Sequence, residues 1–320
     1  MTLLYSSPRF LDHETGTHPE CAARLSAVTE HLARTESARQ CSCPTWPPVS
    51  AARIARIHSP KYTKQVRQYA ANGGGHIDAD TIVSLRSFDV ALLAAGAACD
   101  AVARTVQGVD RQAICLVRPP GHHARRARAM GFCLLNNVAI AARVATVEFG
   151  LDRVLIVDWD VHHGNGTQEA FWTDPQVGFL SIHRWPFYPG TGAADETGSG
   201  PGLGTIRNLP IEMGTPRAEY RSRFARELED FAARIKPQLV LVSAGFDTHC
   251  QDPIGSLGLE TEDFTHLTRT VCDVAQAHAD GRLVSLLEGG YNPPVLAACV
   301  EAHVREMMRH ATMAKGEGGN

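Results

Sequence analysis

Short apolar runs recur along the chain, each separated from the next by a longer stretch in which apolar positions return every three or four residues. The short runs, at 3–5, 113–117, 154–157, 177–182, 239–243 and 283–287, are rich in Val, Leu and Ile and too brief for helices, which predicts buried strands. The longer stretches predict helices: one starting near Ala22, one over 51–71 broken at Ser59-Pro60, one over 90–106, one through Asn136, Asn137 and Val147, and two more over 219–235 and 260–278. The Pro-rich segment 41–50, the run Asn72-Gly-Gly-Gly75 and the Gly-rich stretch up to Gly204 read as connections. Strand alternates with helix at least five times. The expected fold is therefore a single α/β domain over residues 1–310, with a mostly parallel central sheet and helices on both faces, followed by a mobile tail at 311–320.

The polar residues that break this pattern sit just after the strands. Val154-Leu-Ile-Val157 runs directly into Asp158, Asp160 and His162, which share one face if the chain stays extended. Two carboxylates and an imidazole cannot be buried there unpaired, so they call for a cation, and their atoms suit zinc or a similar divalent metal. A salt-bridged strand end is the competing reading, and so dense a cluster makes it the lesser one. Gly164-Asn-Gly166 supplies a tight turn beyond. The strand at 113–117 ends in Arg118-Pro-Pro-Gly-His122-His123, whose prolines stiffen the turn under two histidines suited to proton transfer. The strand at 239–243 leads to Asp247, and that at 283–287 leads to Glu288-Gly-Gly-Tyr291-Asn292. In open parallel sheets the active site lies outside the carboxyl ends of the strands, where His122, Asp160, Asp247 and Tyr291 all fall. No glycine fingerprint for a dinucleotide or a nucleotide phosphate accompanies the strands.

Composition narrows the class. The 320 residues are 44% hydrophobic, enough for one large core, and the net charge of -3 gives no pull toward nucleic acid or an anionic membrane. Nine cysteines occur without a C-x-x-C pair, so neither a disulfide framework nor a zinc ribbon is expected, and a reducing cytoplasm fits. The first ten residues lack a secretory pattern, and the longest uncharged run, 129–142, is too short and polar to span a bilayer. Nothing in the sequence fixes an oligomeric state.

Six blocks, in this order, resemble the histone deacetylase superfamily, in particular its class II branch and the bacterial deacylases and acetylpolyamine amidohydrolases beside it. They are RPPGHHA at 118–124, GFCLLNN at 131–137, DWDVHHGNGTQ at 158–168, SAGFD at 243–247, DPIG at 252–255 and EGGYN at 288–292. The resemblance implies one catalytic Zn2+ held by Asp160, His162 and Asp247, with an open position for water and a carbonyl. It makes His122 and His123 the pair beside the metal, oriented by Asp158 and Asn165, where some relatives have Asp instead of Asn165. Tyr291 matches the tyrosine that hydrogen-bonds the oxyanion, in place of the His found in weakly active class IIa relatives. Gly131, Phe132 and Tyr188 match the walls of an acyl-lysine tunnel, Cys133 beside them is read as a wall residue, and Asp80 matches the rim position that grips substrate backbone. Structural K+ or Na+ is implied at an inner site of Asp158, Asp160, His162, Ser181 and Ile182 and an outer one of Phe171, Asp174 and Val177. The chain departs from class II relatives at Pro19-Glu20-Cys21-Ala22, where Arg-Pro commonly follows Glu, while Arg24 still matches.

The implied chemistry is hydrolysis of an N-acyl amide, without a covalent intermediate. Three readings compete: a lysine deacylase acting on proteins or peptides, a deacetylase of acetylated polyamines, and a pocket that binds acyl-lysine without turnover. All ligands and the tyrosine are present, which disfavours the last; a two-metal hydrolase of arginase type would need further carboxylates. Ile254 stands where polyamine-specific relatives have a gatekeeping Glu, and Arg125, Arg126 and Arg128 make a basic loop near the tunnel, against acidic candidates at Asp78, Asp80, Asp195 and Glu196. A basic rim would disfavour a polycation, so acyl-lysine in a protein or peptide is the expected substrate.

Overall fold

The computed structural model describes residues 2–316. Its strands are β1 (Thr2–Tyr5), a small antiparallel pair β2 (Gly75–His76) and β3 (Ile82–Val83), then β4 (Gln112–Cys115), β5 (Val154–Asp158), β6 (Val177–Arg184), β7 (Ile206–Ile211), β8 (Leu239–Ala244) and β9 (Leu283–Leu287). Seven of them form one sheet in the order β1-β4-β9-β8-β5-β6-β7, and every neighbouring pair is parallel. The expected α/β architecture holds. Strands β1, β4, β5, β8 and β9 are buried at every position, as strands covered on both faces must be, and β5, β8 and β9 are the Val- and Leu-rich ones. The helices Ala22–Ala33, Pro293–Gly316, Thr261–His278 and Arg217–Ile235 pack side by side, and Ser87–Val106 packs on Asn137–Glu148.

The stretch 51–71 breaks before Pro60 as expected, into helices Ala51–Ile54 and Pro60–Ala71, and Ser59 caps the second by accepting from the Tyr62 amide at 3.2 Å. Other elements differ from the sequence pattern. β7 was hidden because Pro210 interrupts IRNLPI, yet an edge strand tolerates proline. Asn165–Phe171 is a short helix begun by Asn-Gly, a weak start signal. The expected tail from Ala311 overlaps the last helix, which runs to Gly316; residues 317–320 lie outside the described residues. Among the described residues no helix is long and apolar enough to cross a membrane.

Strands β4, β9, β8 and β5 are consecutive in the sheet, and their ends are level: Cys115 lies opposite Leu286, Ser243 opposite Leu286, and Asp158 opposite Ser243. The loops leaving them bring together residues from 118 to 292.

Candidate active site

Just beyond β5, Asp160 and His162 meet Asp247 from the loop after β8. One ligand atom of each lies within 4.8 Å of the others, and all three residues are buried. Asp160 Oδ1 accepts from the His162 amide at 2.9 Å and lies 3.0 Å from its Nδ1, while Oδ2 accepts from the Gly289 amide at 2.8 Å. Asp247 Oδ1 accepts from the Val161 amide at 2.9 Å. Its Oδ2 accepts no hydrogen bond, although it lies 3.2 Å from His162 Nδ1. A buried carboxylate oxygen left orphaned beside a second carboxylate is costly unless a cation joins them. The local field asks for one: against the cost of burial, the two carboxylates pull His162 up to about 9, and burial with Asp160 pushes Asp247 up to about 7. Two carboxylates and one imidazole suit zinc with a position left open, so the residues present fit a catalytic divalent cation. A Cβ at Gly289 would lie 2.2 Å from Asp247 Oδ2 and 2.5 Å from Asp160 Oδ2, which is why the tyrosine turn needs glycine beside these carboxylates. Phe187, not singled out from the sequence, stacks on His162 at 5.2 Å.

The histidine pair lies alongside, ring centroids 4.0 Å apart. His122 Nδ1 is 2.9 Å from Asp158 Oδ2, and its Nε2 is 3.9 Å from Asp160 Oδ1. Burial opposes its charge, but Asp158 and Asp160 outweigh that and raise it to about 10. His123 differs. Its Nδ1 is 2.7 Å from Asn165 Oδ1, and the Asn165 amide nitrogen turns toward Met130 Sδ, so Nδ1 donates and Nε2 is free to accept a proton. Burial, then the charge of His122, holds His123 well below the ordinary imidazole range. Asp158 ends β5, and Asn165 opens helix Asn165–Phe171, whose Gly166 and Thr167 amides donate to the His122 carbonyl at 3.0 and 3.2 Å.

Tyr291 follows β9. Its phenol is buried, which pushes it well above its ordinary value and keeps it protonated as a donor. Its amide donates to Asp252 Oδ2 at 2.6 Å, and Arg24 lies 4.8 Å from its ring centroid. Arg24 also donates to the carbonyls of Glu288 at 2.6 Å and Gly290 at 2.5 Å. Glu20 neutralises Arg24 at 3.1 Å and Arg118 at 2.5 Å, a buried cluster at the base of the tyrosine and histidine turns. The roles of Glu20, Arg118, Asp252 and Glu288 escaped the sequence, although the spacing Glu20/Arg24 is that of a helical ion pair.

Gly131 and Phe132 have φ of 55° and 70°, so the wall turn is left-handed. A Cβ at Gly131 would lie 2.3 Å from the His123 ring. Phe132 stands edge-on to Tyr291 at 5.6 Å and to His18 at 4.5 Å, and Tyr188 stands edge-on to His123 at 5.3 Å. Asp80 Oδ1 accepts from the Gly131 amide at 3.3 Å, and its carbonyl is 3.0 Å from His18 Nε2. Ile254, half-buried, donates its amide to Asp252 at 2.9 Å. Cys133 is fully buried, and its thiol donates to the Gly131 carbonyl at 3.3 Å. The basic loop is also less basic than expected, because Arg125 pairs with Glu169 and Arg128 with Asp78 at 3.0 Å. Of the residues expected around monovalent cations, Ser181 lies opposite Asp158 in the sheet with buried Ile182 beside it. Asp174 meets Arg143 at 2.5 Å, Arg143 lies over the Phe171 ring at 4.9 Å, and buried Val177 opens β6.

Residues 18–307 match the family model described as the histone deacetylase domain. The chain belongs to the histone deacetylase family. This histone deacetylase family member is 39% identical to a probable deacetylase of Archaeoglobus fulgidus, over 88% of this chain and 79% of that one. It is 40% identical to the human polyamine deacetylase HDAC10, over 91% of this chain and 45% of that protein. The crystal structure of the HDA15 HD domain superposes with a TM-score of 0.90 at 33% identity, covering 98% of this chain and 92% of that one.

Proposed function

We propose that the chain is a zinc-dependent amidohydrolase that removes acyl groups from acyl-lysine in proteins or peptides. The observation that carries this reading is the buried Asp160-His162-Asp247 set with its orphaned carboxylate oxygen. Bound there, Zn2+ supplies Lewis acidity toward a carbonyl and makes water easier to deprotonate near neutral pH. His123, neutral with Nε2 unprotonated, takes the proton of the attacking water and returns it to the departing amine nitrogen. His122, charged and held by Asp158, contributes electrostatically while keeping its own proton. Tyr291 donates its phenolic hydrogen to the oxyanion as the carbonyl becomes tetrahedral. Gly131, Phe132 and Tyr188 flank the aliphatic stem of the acyl-lysine, and Asp80 stands at the rim.

A polyamine deacetylase is the second reading. It gains from the pairing of Arg125 and Arg128, which removes much of the repulsion expected for a polycation, and from the name of the human relative. Ile254 still offers no carboxylate where a polycation would need one. The deciding experiment measures kcat/KM of zinc-loaded protein on acyl-lysine peptides and on acetylspermidine and acetylputrescine. A peptide at the head of the ranking supports the first reading, an acetylated polyamine replaces it with the second, and no hydrolysis of either defeats both.

A further inference from the structure

Glu288 follows β9 directly, and its side chain reaches across to the turn after β4, the neighbouring strand. Its Oε2 accepts from the amides of Gly121 at 2.7 Å and His122 at 3.2 Å, and its Oε1 from the Ser243 hydroxyl at 3.3 Å, at the end of β8. Its main chain is held as firmly: the amide donates to the Ala244 carbonyl at 3.0 Å, and the carbonyl accepts from Arg24. The carboxylate is buried, and among the described residues no Arg or Lys pairs with it. A carboxylate in that position is expensive, so its three donors and its placement need a reason beyond packing.

The geometry points to one: we propose that Glu288 is a positioning residue that sets the histidine turn, 121–123, at a fixed distance from the tyrosine turn, 288–291. Among the described residues, the hydrogen bonds between the two turns are those of Glu288 to the Gly121 and His122 amides. Gly121 has no slack, since a Cβ on it would lie 2.6 Å from the Asn137 amide, so the turn moves as a body once its anchor shifts. From Glu288 the chain passes to Gly289, whose amide holds Asp160, and on to Tyr291. One side chain therefore references the proton-transfer pair to the oxyanion donor, and the oxygen that accepts the two amides matters more than the charge.

This inference rests on the proposed hydrolase reading, and two near-isosteric variants test it. Glu288→Gln keeps an oxygen for both amides and can donate to the Ser243 hydroxyl. Glu288→Asp keeps the charge but is one methylene short of the turn. In zinc-loaded protein the expected result for Glu288→Asp is a kcat lower by about 50-fold with KM changed less than about threefold, because displacement of about 1 Å at a reacting centre costs rate on that order. Glu288→Gln should stay within about fivefold of wild type on the same ground. Nitrogen-15 NMR of the ring N–H that His122 shares with Asp158 should move in Glu288→Asp and stay in Glu288→Gln. Glu288→Asp retaining as much kcat as Glu288→Gln would overturn the proposal, as would an unmoved His122 resonance in Glu288→Asp. A wild type inactive on every amide would sink the functional reading alone, and the NMR comparison would still decide the role of Glu288.

Discussion

Replacing Asn165 by Asp changes one atom and puts a carboxylate 2.7 Å from His123 Nδ1. In the native site the amide oxygen orients the ring without charging it, and burial plus the His122 charge keep His123 well below the ordinary imidazole range. An opposite charge in hydrogen-bond contact raises an imidazole by about 1–3 pH units, or about 1.4–4 kcal/mol in favour of the charged form. Coulomb's law gives a similar size, about 4 kcal/mol for charges about 4 Å apart at an effective dielectric of 20. The sign follows from the role. A base works only when neutral, so kcat/KM rises as pH passes upward through the His123 value, and Asn165→Asp must move that acid limb to higher pH by about 1–3 units. On the acid limb the variant should be slower than wild type at the same pH, while on the alkaline plateau its more basic nitrogen should bring it near or above wild type. The assay is kcat/KM on one acyl-lysine peptide from pH 5 to 9 at constant zinc and ionic strength. An acid limb that stays where it was, or moves to lower pH, refutes the assignment of His123 as the base.

Tyr291→Phe should keep zinc content and thermal midpoint yet lose kcat by about 100- to 1000-fold, the usual cost of one oxyanion donor; activity within a fewfold of wild type would remove Tyr291 from that role. His123→Ala should cost more kcat than His122→Ala, because the first removes the base and the second a fixed charge, and equal losses would contradict the division of labour. Gly131→Ala places a methyl 2.3 Å from the His123 ring at a left-handed φ, so kcat should fall by about 100-fold through displacement of the base, while zinc stays bound. Stability should fall as pH drops from about 6.5 to 5. Burial lowers His58 and His183 to about 4 and His303 to about 3, so the unfolded chain takes up protons in that window that the folded chain refuses, at about 1.4 kcal/mol per group per pH unit. Glu288 and Asp247, which burial raises to about 7, oppose this by two groups against three; a thermal midpoint that is flat or rises toward pH 5 would show the histidines are not held neutral.

The strands and two members of the candidate metal cluster, Asp160 and His162, were legible because their signals are local, whereas Asp247 joined them only through the family resemblance. Val154–Val157 is an unbroken apolar run with Asp158, Asp160 and His162 right after it, and parallel sheets place such ends together. What stayed hidden depends on contacts between distant segments. That Glu169 would meet Arg125, or Asp78 meet Arg128, depends on how two loops fold over each other, so the charge of the rim could be counted but not netted. Glu20 and Arg118 are 98 residues apart, and neither shows in the sequence that it is buried.

The strand order also says when this site can exist during synthesis. β9 is the last strand made, yet it lies in the middle of the sheet, with β4 on one side and β8 on the other. Until residues 283–287 leave the ribosome, the strands carrying His122 and Asp247 have no common neighbour, and Gly289 is not there to hold Asp160. Assembly of the site is therefore coupled to synthesis of β9: a nascent or truncated protein ending before it exposes two unpaired strand edges and, although it carries Asp160, His162 and Asp247, lacks the Gly289 amide that holds Asp160 and lacks Tyr291.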